Sequence, residues 1–148
     1  YFRGYRQVQK GTFATSHIHM DVESLRQYCL NKQMVTEEFP FDEVTLVFKV
    51  CGKIFLLTGL DAPELSFNVK CDPSFAIELR EKYACVQPGY HMNKTMWNTV
   101  TVDGTVADRH LLEWVDHSYN EVVKKLPKKD AFISFCHRLI GSFFLEHF

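Results

Sequence analysis

Leu111, Val115, Tyr119, Val122 and Leu126 recur at spacings of four, four, three and four, the stripe of a helix with one buried face. The spacing predicts a helix that starts near Thr105–Asp108 and is stopped by Pro127. Far upstream, Asp21 is a good N-cap, and Val22, Leu25, Tyr28 and Cys29 share one helical face, so a first helix is expected to end near Lys32. A middle helix is announced by Cys71-Asp72-Pro73, with Asp as N-cap and Pro at the first helical position, where its missing N–H costs nothing. Ala76, Leu79 and Tyr83 form its buried stripe.

Between the helices the period falls to two. Leu65, Phe67 and Val69 face one way and Ser66, Asn68 and Lys70 the other, the mark of a sheet covered on one side only. Thr45–Val50 and Ile54–Thr58 are rich in β-branched and aromatic residues, with Gly52-Lys53 as a tight hairpin turn. Pro88-Gly89 breaks the chain before a short strand at Tyr90–Met92, and Trp97–Val102 ends at the turn Asp103-Gly104. The acidic segment Val35–Glu43 contains Pro40 and is expected to be a loop. The order is α-β-β-β-α-β-β-α, an α+β fold with helices packed on one face of a five-stranded antiparallel sheet.

This pattern fills residues 20–129, which form one domain. Residues 1–19 do not begin with Met and lack an apolar core of the secretory type, so they are expected to be an extension, poorly structured or non-native. After Lys129, Phe132, Phe135, Cys136, Leu139, Ile140, Phe143 and Phe144 share one helical face, with Gly141 weakening the pattern. Residues 130–148 are therefore expected to be an amphipathic C-terminal helix or tail that packs on the domain or joins two copies as a homodimer.

Composition narrows the setting. A chain of 148 residues with 46% hydrophobic content and 13 Phe can fill a core without disulfides. Its five cysteines are odd in number and form no C-x-x-C pair, which points to a reducing, cytoplasmic compartment and away from a zinc ribbon. No apolar run is long enough for a membrane span. No Gly-rich phosphate loop or metal-ligand spacing is present, so no cofactor and no metal are expected; His17-x-His19 falls in the extension. Net charge is −1, and residues 20–129 hold 13 Lys/Arg against 16 Asp/Glu. Any phosphate binding must then come from a local patch.

The densest polar and aromatic cluster is Pro88–Val100, where His91, Asn93, Lys94, Trp97 and Asn98 offer donors, one cation and a flat ring. Such a set can hold a phosphate backbone and stack on a base. The structural alternative is a core Trp97, a turn-forming Asn93 and a satisfied His91. An enzyme centred on His91 and Trp97 ranks last: Asp116 and His117 are helix neighbours that point about 100° apart, so they form no dyad. Cys71 precedes a helix N-terminus, which lowers a thiol pKa, yet a small buried filler is the more common role.

Several segments together resemble the MmcQ/YjbR family: Glu37-Glu-Phe-Pro-Phe-Asp42, Leu46-Val-Phe-Lys-Val50, Asn68-Val-Lys-Cys-Asp-Pro73, Pro88-Gly-Tyr-His-Met-Asn-Lys94, Trp97-Asn-Thr-Val100, Asp116-His-Ser-Tyr119 and Leu126-Pro-Lys-Lys129. The similarity runs through Met20–Lys129 and covers neither flank. It implies a small bacterial protein with a CyaY-like α+β fold that binds duplex DNA through a double-wing arrangement, without enzymatic activity. Residues suited to that role are Lys49, Lys53 and Lys70 on the first three strands, with His91, Asn93, Lys94, Trp97 and Asn98 on the later hairpin. Lys128 and Lys129 beyond Pro127 complete the set. Lysines on exposed strands also protect sheet edges, and lysines ending a helix favour its macrodipole, which accounts for Lys124 and Lys125. A protein-interaction or chaperone-like dimerising domain is the alternative.

Overall fold

The computed structural model describes residues 19–130. The expected extension up to Ile18 and the amphipathic tail from Ala131 lie outside the described residues.

Among the described residues the elements follow in the order α1 (Val22–Leu30), β1 (Val35–Glu38), β2 (Thr45–Val50), β3 (Lys53–Gly59), β4 (Ser66–Lys70), α2 (Pro73–Lys82), β5 (Val86–Pro88), β6 (Trp97–Thr101) and α3 (Asp108–Val123). The strands form one antiparallel sheet in the order β1-β2-β3-β4-β6-β5. It has six strands where five were expected. Val35–Glu38 is an edge strand rather than a loop: Val35 pairs with Val50 and Glu38 with Val47. A short, acidic edge is a common protection against sheet-to-sheet association. The strand expected at Tyr90–Met92 lies instead at Val86–Pro88, where Pro88 ends an edge strand and its missing N–H breaks no inner ladder. The β2–β3 turn is Cys51-Gly52, with φ of +47° and +78°, one residue earlier than expected. Two consecutive residues at positive φ match the right-handed twist of a two-residue hairpin, and Gly52 adopts that backbone without strain.

Both helix starts follow their caps. The Asp21 carboxylate accepts from the Ser24 N–H at 2.7 Å, and that of Asp72 accepts from Ser74 N–H at 3.1 Å. All three helices cover one face. Leu25 and Cys29 of α1, Ala76 and Leu79 of α2, and Leu111, Val115 and Val122 of α3 meet Leu46, Phe48, Phe55, Phe67, Val69 and Val100 of the sheet. Phe48, Phe55 and Phe67 are fully buried, each contributing roughly 1.5–3 kcal/mol by leaving water. The second face carries a small cluster of Val47, Leu57 and Trp97, with Ile54, Met92 and Met96 packed against it. α3 is held to the sheet by Ser118, whose buried hydroxyl donates to the Phe55 carbonyl and accepts from the Lys70 N–H at 2.8 Å.

The antiparallel registers assign every connection to one of two ends. The Phe39–Val44, Leu60–Leu65 and Val102–Ala107 connections share one end. The Cys51-Gly52 turn, the Gly89–Met96 loop, Cys71-Asp72 and the end of α3 share the other.

Candidate functional site

The two ends differ in charge. The first carries Asp42, Glu43, Asp61, Glu64 and Asp103 in its three loops, which hold no Lys or Arg, with Arg109 in the first turn of α3 beside them. At the second, Lys53 follows the Cys51-Gly52 turn, Lys70 ends β4, Lys94 lies in the β5–β6 loop, and Lys124, Lys125, Lys128 and Lys129 follow α3. Asp72, Glu121 and Asp130 are present there too; the Asp72 carboxylate is occupied as the α2 cap, where Ser74 holds its pKa below the ordinary value, and Glu121 pairs with Lys124. A domain with an excess of acids is thus a dipole whose positive pole lies where both hairpins emerge. β4 alone separates β3 from β6, so the two hairpins stand roughly 10 Å apart, two inter-strand spacings.

The lysines do not line one sheet face. Lys49 points to the open face and is ion-paired with Glu38 of β1. Lys53 and Lys70 instead line a cleft of about 220 Å³ with Lys125, Ile54, Val122 and Leu126. Burial and the Lys125 charge lower the Lys70 pKa, while Glu121 opposes the shift. Lys128 and Lys129 lie between Leu126, on the cleft wall, and Asp130, whose charge reaches Cys51 in the β2–β3 turn. Strand direction, rather than side-chain parity, brings these lysines together.

The β5–β6 loop divides its residues between structure and exposure. Asn98, expected among the contacts, is fully buried: its amide donates to the Ala76 carbonyl at 3.2 Å and its Oδ1 accepts from Arg80 Nε at 2.6 Å. Trp97 is 8% exposed and fills the open-face cluster. Asn93 serves the turn, its Oδ1 accepting from the Thr95 N–H at 2.9 Å and its carbonyl from the Trp97 N–H at 2.9 Å. These three are committed to packing and turn geometry. Tyr90, His91 and Lys94 are left exposed at the tip. Tyr90 is 72% exposed, its ring 4.0 Å from that of His91, whose φ is +56°. Tyr90 was not singled out from the sequence, although its place between Gly89 and His91 at a loop tip is the signal that finds it.

Arg80 of α2 anchors the loop. Besides Asn98, its guanidinium donates to the Trp97 carbonyl at 3.1 Å and to the Lys94 carbonyl. Gly89 is fixed by contact: a Cβ there would stand 2.8 Å from Trp97 Cβ and 2.9 Å from the Trp97 carbonyl oxygen.

Neighbouring Asp116 and His117 serve different partners. Asp116 accepts from the Tyr28 hydroxyl at 2.8 Å and pairs with Lys32. His117 Nε2 accepts from the Asp72 N–H at 3.1 Å, its ring lies against Phe75, and burial lowers its pKa. Cys71 is buried, and its thiol pKa is pushed up to about 12, which removes the thiolate a nucleophile needs. Among the described residues no His, Cys, Asp or Glu side chains group as a metal site, and no helix is long and apolar enough to cross a membrane.

The YjbR family model matches residues 30–121, which include Lys53, Lys70 and the β5–β6 loop and stop before Lys124. The uncharacterized protein YjbR of Escherichia coli K12 is 30% identical over 110 residues, 74% of this chain and 93% of its own length. The uncharacterized protein YbdF of Escherichia coli O157:H7 is 32% identical over 108 residues, covering 73% and 88%. The crystal structure of Deinococcus radiodurans protein DR2400, of domain family DUF419, is similar with a TM-score of 0.74 at 38% identity, over 78% of this chain and 88% of that one. A Pseudomonas syringae protein shares the fold at a TM-score of 0.58 and 22% identity, over 67% and 96%.

Proposed function

This chain belongs to the YjbR family, and from that premise we propose that it is a non-enzymatic module that binds duplex DNA through the lysine-bearing end of its sheet. The observation that carries the reading is the separation of charge along the strands: lysines gather where both hairpins emerge, and acids occupy the loops at the opposite end. A dipole of this kind orients the domain toward a polyanion and holds its acidic end away. The Cys51-Gly52 turn and the Gly89–Met96 loop act as the two wings. Lys53, Lys70, Lys94, Lys128 and Lys129 contact phosphates, which position the protein without reading sequence. The exposed Tyr90 and His91 rings supply flat surfaces at the tip of the second wing.

Fluorescence anisotropy of a labelled duplex with the full chain at low salt tests this. Changing Lys128 and Lys129 together to Ala should weaken binding by about tenfold, each phosphate contact being a charge-assisted bond. Lys49→Ala should leave it within about twofold, because Lys49 is already paired with Glu38 on the other face. Equal losses in both variants would dismiss the end-on arrangement.

A second reading, a protein contact, draws on the acidic end. There Phe39 and Phe41 are 48% and 65% exposed, and Phe39, Val22, Leu46 and Leu60 line a cleft of about 410 Å³. Exposed aromatic groups beside a cleft are a common mark of partner binding. Light scattering of the full chain and of Phe41→Ser would register self-association as a fall in mass. A monomeric mass for both would remove dimerisation through this end.

A further inference from the structure

Four basic side chains have a carboxylate partner among the described residues. Arg26 pairs with Glu37, Lys32 with Asp116, Lys49 with Glu38 and Lys124 with Glu121. Lys53, Lys70 and Lys125 line one cleft of about 220 Å³, and none of the three has an ion pair among the described residues. No acid lines that cleft. Its other walls, Ile54, Val122 and Leu126, are apolar. Lys70 is only partly exposed, and burial together with the Lys125 charge disfavours its ammonium form, an effect that Glu121 offsets only in part.

We propose that this cleft is a receptor for a phosphomonoester dianion, a terminal phosphate rather than a backbone phosphodiester. Size and charge both support the distinction. A cleft lined by six residues admits a chain end, whereas a backbone phosphate carries a chain on both sides and meets the same lysines only at the rim. A monoester bears about −1.5 to −2 at neutral pH, which matches a cleft lined by three lysines better than the single charge of a diester. The apolar wall formed by Ile54, Val122 and Leu126 is suited to the organic body of the ester.

The end of a helix is by itself a poor place for an anion, because its carbonyls are partly negative. Here three of those carbonyls are occupied: Asn120, Val122 and Val123 accept from the N–H groups of Lys124, Lys125 and Leu126 at 3.0–3.1 Å. The anion meets lysine side chains instead. The inference goes beyond duplex binding. It uses the same pole of the molecule, but a small phosphorylated molecule would satisfy the cleft whether or not a duplex binds.

The experiment uses the full chain with two probes. Phenyl phosphate is titrated by calorimetry, and duplexes of one sequence with a 5′-phosphate or a 5′-hydroxyl are compared by anisotropy. Saturable phenyl phosphate binding is expected, weakened about tenfold in Lys70→Met and in Lys125→Met, each of which loses one charge-assisted contact. Lys53→Gln, at the exposed first residue of β3, provides a variant without a folding risk and should weaken binding in the same direction. A preference of about tenfold for the phosphorylated duplex identifies a nucleic-acid end as the source. Phenyl phosphate binding with no duplex preference identifies a small phosphorylated molecule. Absence of saturable phenyl phosphate binding, or binding unchanged in all three variants, overturns the proposal. Duplex binding that persists while phenyl phosphate fails overturns the cleft and leaves the duplex reading intact; the reverse pattern does the opposite.

Discussion

Replacing Arg80 by Ala should loosen the β5–β6 loop and destabilise the whole domain. The guanidinium makes three bonds that link α2 to the loop: to Asn98 Oδ1 at 2.6 Å, to the Trp97 carbonyl at 3.1 Å and to the Lys94 carbonyl. Lys94 is exposed, so water can replace the donor at its carbonyl. Asn98 is fully buried, so its Oδ1 loses its only described partner with no water at hand. That bond to a charged donor, plus the cost of an orphaned buried acceptor, comes to about 2–3 kcal/mol. For a domain of this size, roughly 4 °C of Tm accompanies each kcal/mol, so a fall of about 8–12 °C is expected. Thermal unfolding followed by circular dichroism measures it. Hydrogen exchange offers a second readout: the Met96 and Trp97 amides, bonded to the Asn93 carbonyl, should exchange faster in the variant than the amides of β2. A Tm within about 2 °C of the parent, with unchanged exchange in the loop, would refute the anchoring role of Arg80.

Gly89→Ala should cost about 1–3 kcal/mol, because the added Cβ would stand 2.8 Å from Trp97 Cβ and 3.1 Å from Met92 Cβ, positions that cannot swing aside; chemical denaturation measures the loss, and Pro88→Ala should be milder. His117 sets the pH response. Burial lowers its pKa in the folded state below the ordinary 6.5, so the unfolded chain binds more protons between the two values. Its stabilising contribution is present above about 6.5 and lost as the pH falls through the folded-state pKa. Tm should therefore drop on going from neutral pH into the range just below 6.5, and His117→Gln should flatten that drop. An identical profile in the variant would assign the transition to other groups.

Much of the fold was legible because three buried helix stripes, one alternating strand and two runs of β-branched and aromatic residues are long enough to overrule local exceptions. The N-caps Asp21 and Asp72 and the stop at Pro127 follow from chemistry confined to a few residues. Two features were harder to read. β1 is only Val-Thr-Glu-Glu, and its acids and the nearby Pro40 read as loop; as an edge strand, half of its ladder faces solvent, which relaxes the demand for apolar side chains. β5 was displaced because Pro88 looks like a strand breaker, yet at the outer edge its lack of an N–H costs no bond. For the site, the lysine cluster depends on strand direction. Lys53, Lys70 and Lys125 are far apart in sequence and come together because β3 begins where β4 and α3 end. Asn98 and Asn93 read equally well as ligand contacts or structural groups, and only their burial and partners separate the two uses.

The central claim is that the lysine-bearing end neutralises DNA phosphates, and the salt dependence of duplex affinity tests it most directly. If the five lysines displace counterions, the slope of log K against log salt should be about −4.5, and affinity should fall about 500-fold between 50 and 200 mM salt. Changing Lys128 and Lys129 to Ala should bring the slope down by about two, whereas Lys49→Ala should leave it unchanged. A slope near zero, or one that shifts as much with Lys49 as with Lys128 and Lys129, would contradict the account.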